Sequence, residues 1–122
     1  MSGMMNKVAF MFRTAPHGSA SGREGLDAVL ATSALSEDLG VFFSHDGVYQ
    51  LLAEQDPSVI LGRHYAPTFG LLDLYDVEQV YVCQQSLSER GLVPEQISIP
   101  VQVLAPIEWQ QTLASFNVRL SF

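Results

Sequence analysis

Three short runs of consecutive apolar residues organise the first two thirds of this 122-residue chain. They cover residues 8–12, 41–44 and 80–83, and a helical pattern follows each of them. Runs that are apolar throughout, without alternation, are typical of strands buried on both faces of a sheet. Because a strand–helix–strand connection joins parallel strands, we expect these three runs to be parallel neighbours in one sheet.

The longest helical pattern extends over residues 23–38, and Gly40 is expected to end it. Its apolar residues surround more than one face, which predicts a helix covered on most sides, with a second subunit as one candidate contact. Shorter helices are predicted at residues 48–53, 67–75 and 84–90. The last helix opens at Pro106, and its apolar residues recur at helical spacing, at Trp109, Leu113 and Phe116.

Two further strands are predicted near the end of the chain, at residues 101–104 and 117–122. The second alternates apolar and polar residues, so its two faces differ. Strands that alternate with helices imply a mostly parallel sheet with helices on both sides. We therefore predict a single α/β domain over residues 1–122, with three α/β/α layers and about five strands.

The charge of the chain argues against direct binding to nucleic acid. The chain carries thirteen acidic and six basic residues, a net charge of −7, and its cations are scattered. Proteins that grip a phosphate backbone use several clustered cations. Any role in nucleic-acid chemistry is therefore expected to pass through a protein partner. A hydrophobic content of 48% in so small a domain favours a permanent protein interface.

The location expected for the chain is the cytoplasm. No apolar run reaches the roughly 18 residues of a membrane span, and the first residues lack the pattern of a signal peptide. A single thiol also fits a reducing compartment.

Cys83 is the principal candidate for chemistry. It ends an apolar strand and opens a helix, the position that faces the ligand crevice in open α/β sheets. The amides of a helix start would favour the thiolate. The alternative is a small buried hydrophobe, which is what many free cysteines are.

Three histidines, His17, His45 and His64, extend the candidate list. None shares metal-ligand spacing with another, so we expect no metal site. His17 and His45 both follow strands, and either one beside Cys83 would make the activated nucleophile of a stand-alone hydrolase or transferase.

The loop at residues 14–22 connects the first strand to a helix through small residues, as mononucleotide-binding loops of flavodoxin type do. It lacks the known phosphate-loop fingerprints, and a tight connection explains its composition equally. A flavodoxin-like mononucleotide- or phosphate-binding module stays open as an alternative.

Several of these segments together resemble a known family. In chain order these segments are FRTAPHG at 12–18, GREGLDA at 22–28, LATSAL at 30–35, VFF at 41–43, DGV at 46–48, QLL at 50–52, LYD at 74–76, VC at 82–83 and SERG at 88–91. This combination resembles the C-type subunits of sulfur-relay complexes within the DsrE/DsrF-like family.

The resemblance implies a cytoplasmic subunit that assembles with TusB-like and TusD-like subunits into a dimer of heterotrimers. Such complexes pass persulfide sulfur between carrier proteins for 2-thiouridine formation at the tRNA wobble position; related DsrEFH assemblies serve sulfur oxidation. In the family the sulfur-carrying cysteine belongs to the D-type subunit, at a strand end equivalent to Cys83. The resemblance therefore implies a non-catalytic or accessory role, no enzyme activity by the chain alone, and no cofactor. It leaves Cys83 as an accessory thiol and makes homo-oligomers a further expectation for the isolated chain.

Overall fold

Five parallel strands form one sheet in the computed structural model of the protein, which describes residues 7–14, 21–33, 38–52, 77–97 and 99–122. The strands are β1 (Lys7–Phe12), β2 (Asp38–Phe43), β3 (Val80–Cys83), β4 (Gln102–Leu104) and β5 (Val118–Ser121). Their order across the sheet is β4-β3-β2-β1-β5. The predicted parallel arrangement of the three apolar runs is confirmed, because β2 pairs with both β1 and β3.

The helices lie between the strands in the chain. They are α1 (Ser21–Ser33), α2 (Gln84–Glu89) and α3 (Pro106–Ala114). A first 3₁₀ helix (His45–Leu51) follows β2, and a second one (Pro94–Gln96) precedes β4. No helix in the described part of the chain is long and apolar enough to cross a membrane.

The two faces of the sheet bury two separate clusters of side chains, which confirms the three-layer prediction. On one face Leu26 and Val29 of α1 pack into the larger cluster, which includes alternate residues of β1, β2 and β3. On the other face Phe42 contacts the ring of Trp109 in α3 and that of Phe116 just after α3, at centroid distances of 5.2 and 5.3 Å. Tyr81 packs against the same ring at 4.9 Å.

The predicted helix over residues 23–38 is too long at its carboxyl end. α1 ends at Ser33, and Asp38 already belongs to β2, where it pairs with Lys7. Gly40 does not end a helix but lies inside β2. A Cβ atom there would be 2.7 Å from Cζ of Phe116, so the glycine lets that ring close over the sheet.

Other boundaries differ by a few residues. The helix predicted at residues 48–53 is a 3₁₀ helix that begins at His45, and Phe116 lies beyond α3 although it is buried. The strands predicted at residues 101–104 and 117–122 are present as β4 and β5. The helix predicted at residues 67–75 lies outside the described residues.

Candidate functional site

Cys83 is the last residue of β3 and the residue immediately before α2. Its side chain is half-buried, so it is neither a sealed core residue nor a freely projecting thiol. It makes no capping hydrogen bond to α2. α2 has only six residues, fewer than two turns.

Ser44 is the residue beside Cys83 on the neighbouring strand. Phe43 pairs with Val82 in the parallel register, so the next residues along, Ser44 and Cys83, lie at the same level. The amide of Ser44 donates to the carbonyl of Phe12 at 3.1 Å, which continues the β1–β2 ladder by one residue. Only 4% of Ser44 is exposed. The backbone of this buried serine therefore stands about one strand spacing, about 4.8 Å, from the cysteine backbone.

His45 turns the chain sharply after this serine. Its φ of 53° places it in the left-handed region, and its amide donates to Oγ of Ser86 at 2.9 Å. Its Nδ1 lies 3.0 Å from Oγ of Ser44, and the residue is exposed. The histidine ring is thus paired with the serine, and no hydrogen bond joins it to Cys83 within the described residues. His17 and His64 lie outside those residues.

An ion pair joins the first 3₁₀ helix to α2. Nε and one terminal nitrogen of Arg90 both lie 3.1 Å from Oδ1 of Asp46. The second terminal nitrogen donates to the carbonyl of Ser86 at 3.1 Å and lies 3.6 Å from Glu89. The Arg90 side chain is 19% exposed, whereas that of Asp46 is 58% exposed. The pair fixes the turn at His45 against the helix that Cys83 opens.

Sequence reasoning missed this pair, because it treated Arg90 as one of several scattered cations and Asp46 as part of a turn signal. The two residues are 44 positions apart. The available signal was their placement after β2 and after β3, since these strands were predicted to be neighbours.

A second group of polar side chains lies at the end of β1. Nε2 of Gln50 donates to the carbonyl of Thr14 at 2.8 Å. Gln50 is fully buried, in the first 3₁₀ helix. Gly47 brings that helix against β1, because a Cβ atom at this position would overlap the carbonyl oxygen of Phe12. Sequence reasoning placed a candidate loop at residues 14–22 but did not connect it with Gln50.

The strand order bears on the flavodoxin alternative. Flavodoxin-like sheets have the order 2-1-3-4-5, with their ligand between the first and third strands. Here the direction of strand addition reverses between β1 and β5, because β2, β3 and β4 follow one another on the other side of β1. The order therefore differs from that of flavodoxin. In the described part of the chain, no group of three or more potential metal-ligating side chains is present.

The fold and the site define a class: single parallel α/β domains with a thiol at a strand end on the carboxyl edge of the sheet. Residues 6–122 match the DsrE/DsrF-like family, and the chain belongs to that family.

Two solved structures are similar to this chain over nearly its whole length. The YchN protein of E. coli has a TM-score of 0.80 and 25% sequence identity, covering 97% of this chain and 100% of that chain. MTH1491, a protein of unknown function from Methanobacterium thermoautotrophicum, has a TM-score of 0.69 and 12% identity. This second match covers 96% of this chain and 99% of that chain. The similarity to MTH1491 concerns the fold alone.

Proposed function

We propose that this chain is a C-type, TusC-like subunit of a cytoplasmic sulfur-relay complex that serves 2-thiouridine formation at the tRNA wobble position. The observation that carries the proposal is a half-buried thiol, Cys83, at the end of β3 in a DsrE/DsrF-like domain. The role is accessory. The sulfur-carrying cysteine of the complex belongs to a D-type subunit, and Cys83 occupies the equivalent place in a supporting subunit.

Sulfur relay needs a thiolate and an accessible persulfide, without a metal or an organic cofactor. A thiolate of the acceptor protein attacks the outer sulfur of the donor's persulfide. A new sulfur–sulfur bond forms on the acceptor, the old one breaks, and its electron pair stays on the donor's sulfur as a thiolate. A carrier thiol in such a chain has to reach into a partner's site. Half-burial of Cys83 in a strand end limits that reach, which favours the accessory role.

The partners in this proposal are TusB-like and TusD-like subunits, assembled with this chain as a dimer of heterotrimers. The sheet face under α3 suits such an interface better than α1 does. On that face Met11, Tyr81 and Trp109 pack around Phe42 yet stay half-exposed. Half-exposed aromatic and sulfur-containing side chains are the residues that protein interfaces favour.

α1 is less suited to the interface than its sequence predicts. Leu26 and Val29 are buried in the chain's own core, and Leu30 packs against it partly buried. Glu24 and Asp27 are exposed on the same helix. Charged residues are depleted from the centres of interfaces, so the exposed part of α1 fits a rim or open solvent.

Co-expression with candidate TusB-like and TusD-like proteins tests the assembly. We expect one stable complex in size-exclusion chromatography, with intact-mass measurement giving equal numbers of the three chains. Failure of the chain to join any such complex would contradict the proposal.

A strain whose only copy of this chain is deleted tests the pathway. We expect it to lose wobble 2-thiouridine and to regain it with the wild-type chain. A strain that keeps this nucleoside but loses the oxidation of reduced sulfur compounds would indicate a DsrEFH-type role instead.

A further inference from the structure

Among the described residues, two buried side-chain oxygens have no hydrogen-bond partner, and they belong to two residues that one hydrogen bond joins. They are Oε1 of Gln50 and Oγ1 of Thr14. The amide nitrogen of this glutamine donates to the carbonyl of this threonine at 2.8 Å. We infer that the two oxygens form a binding site for a small, uncharged hydrogen-bond donor at the end of β1. This inference is independent of the sulfur-relay role.

The energetic argument is that buried polar atoms without partners are costly and therefore rare. Gln50 is fully buried, so bulk water does not reach its carbonyl. Turning the amide over gives no relief, because the carbonyl of Thr14 accepts only and needs the NH₂ group.

The location is one where sheets of this type bind ligands. In open α/β sheets, ligands bind outside the carboxyl ends of the strands, at the point where the strand order reverses. That point is here the boundary between β1 and β5. The ladder between these strands extends to Arg13, whose amide donates to the carbonyl of Phe122 at 2.9 Å. Thr14 is the next residue, so its hydroxyl lies just beyond the last rung.

The chemistry of the two oxygens defines what the site accepts. A glutamine carbonyl only accepts hydrogen bonds, so its partner must offer an N–H or O–H group. The threonine hydroxyl either donates or accepts and can complete a second contact. Two neutral oxygens do not compensate the desolvation of an ion, which excludes a buried ammonium group. The shared chemistry is that of a water molecule or of the hydroxyl or amide end of a small neutral ligand.

Gly47 explains how the site is held in place. This glycine lets the first 3₁₀ helix rest directly on the backbone at the end of β1. Gln50 lies one turn further along that helix, where its amide reaches the carbonyl of Thr14.

Crystal structures of the intact chain at about 1.5 Å or better test the inference. We expect density for an ordered molecule at about 2.6–3.2 Å from both Oε1 of Gln50 and Oγ1 of Thr14. In Gln50→Met this molecule should be lost, whereas the exposed control Gln110→Met should keep it. Thr14→Val serves the same purpose if Gln50→Met does not fold.

The outcomes separate the two sources of the donor. Density the size of one oxygen, with no small molecule in a denatured extract of the protein, would assign water. Larger density, with a neutral compound recovered from the extract, would assign a ligand. An empty site in the wild-type crystals would overturn the inference, as would pairing of both oxygens with groups of the chain itself. None of these results depends on whether the sulfur-relay proposal holds.

Discussion

Replacing Cys83 by serine tests the accessory role directly, because the substitution removes the thiol and little else. The Cys83 side chain is half-buried and makes no capping hydrogen bond to α2, so no polar contact of that kind is lost. The new hydroxyl gains a polar group in a position that is partly open to solvent. We therefore expect a loss of less than about 1 kcal/mol in the free energy of unfolding. For a domain of this size that is a fall in Tm of about 4 °C or less.

The functional readout is wobble 2-thiouridine, measured by mass spectrometry of tRNA nucleosides. The strain should carry Cys83→Ser as its only copy of the chain. We expect near-normal levels of the nucleoside and a normal yield of the complex with its partners. Ser88→Ala, at an exposed position of α2, is the matched control for any effect of changing this helix.

Loss of 2-thiouridine in Cys83→Ser, with the complex assembled at normal yield, would refute the reasoning. It would make Cys83 an obligatory relay thiol and show that half-burial does not prevent sulfur transfer. A loss of assembly together with a large fall in Tm would refute the structural part, since it would mean that the thiol is a packing residue.

Four further substitutions, one of them a control, test the packing and the pH dependence of stability. Phe42→Ala should lower the free energy of unfolding by about 3–5 kcal/mol in chemical denaturation, because the ring is fully buried against Tyr81, Trp109 and Phe116. As the control, Ile107→Ala at a residue that is 65% exposed should change the free energy of unfolding by less than about 0.5 kcal/mol. A loss in Ile107→Ala as large as that in Phe42→Ala would contradict the packing described for Phe42. Gly47→Ala should cost about 3 kcal/mol in thermal unfolding, because the methyl group would overlap backbone atoms, and a neutral result would contradict that contact. Burial and then the charge of Asp38 raise the pKa of Tyr81 above 10.0, so the unfolded chain ionises first and stability falls as pH rises past about 10. Tyr81→Phe should flatten this fall in Tm between about pH 9 and pH 11, and an unchanged slope would argue against the shift.

The sheet was predictable because its central strands are short continuous apolar runs that alternate with helical patterns, which is typical of strands buried on both faces. The start of β2 was not. The residues Asp38, Leu39 and Gly40 have a local composition that fits the end of a helix. Their strand conformation comes from pairing with β1 and from the ring of Phe116, which are tertiary contacts that no local pattern reveals.

Only part of the candidate site was predictable from the sequence. The place of Cys83 followed from the sequence, because a strand end and a helix start adjoin there. The contacts between Arg90 and Asp46 and between Gln50 and Thr14 did not. These partners are 44 and 36 residues apart, and each contact depends on which strands are neighbours and on where the first 3₁₀ helix lies.

The thiol of Cys83 and the buried oxygens of Gln50 and Thr14 lie at different strands along the carboxyl edge of the sheet. Cys83 lies at the end of β3, two strands and about 10 Å from β1, where the strand order reverses. Half-burial of Cys83 limits its reach toward a partner protein, which is why the proposed role of this thiol is accessory. The buried oxygens of Gln50 and Thr14 lie at the end of β1, where we infer the site for a small neutral molecule. The first 3₁₀ helix touches both places, because it contains Gln50 and because its Asp46 pairs with Arg90 of α2. Substitutions confined to the side chains of Cys83 and Gln50, which leave that ion pair in place, therefore test the two roles separately.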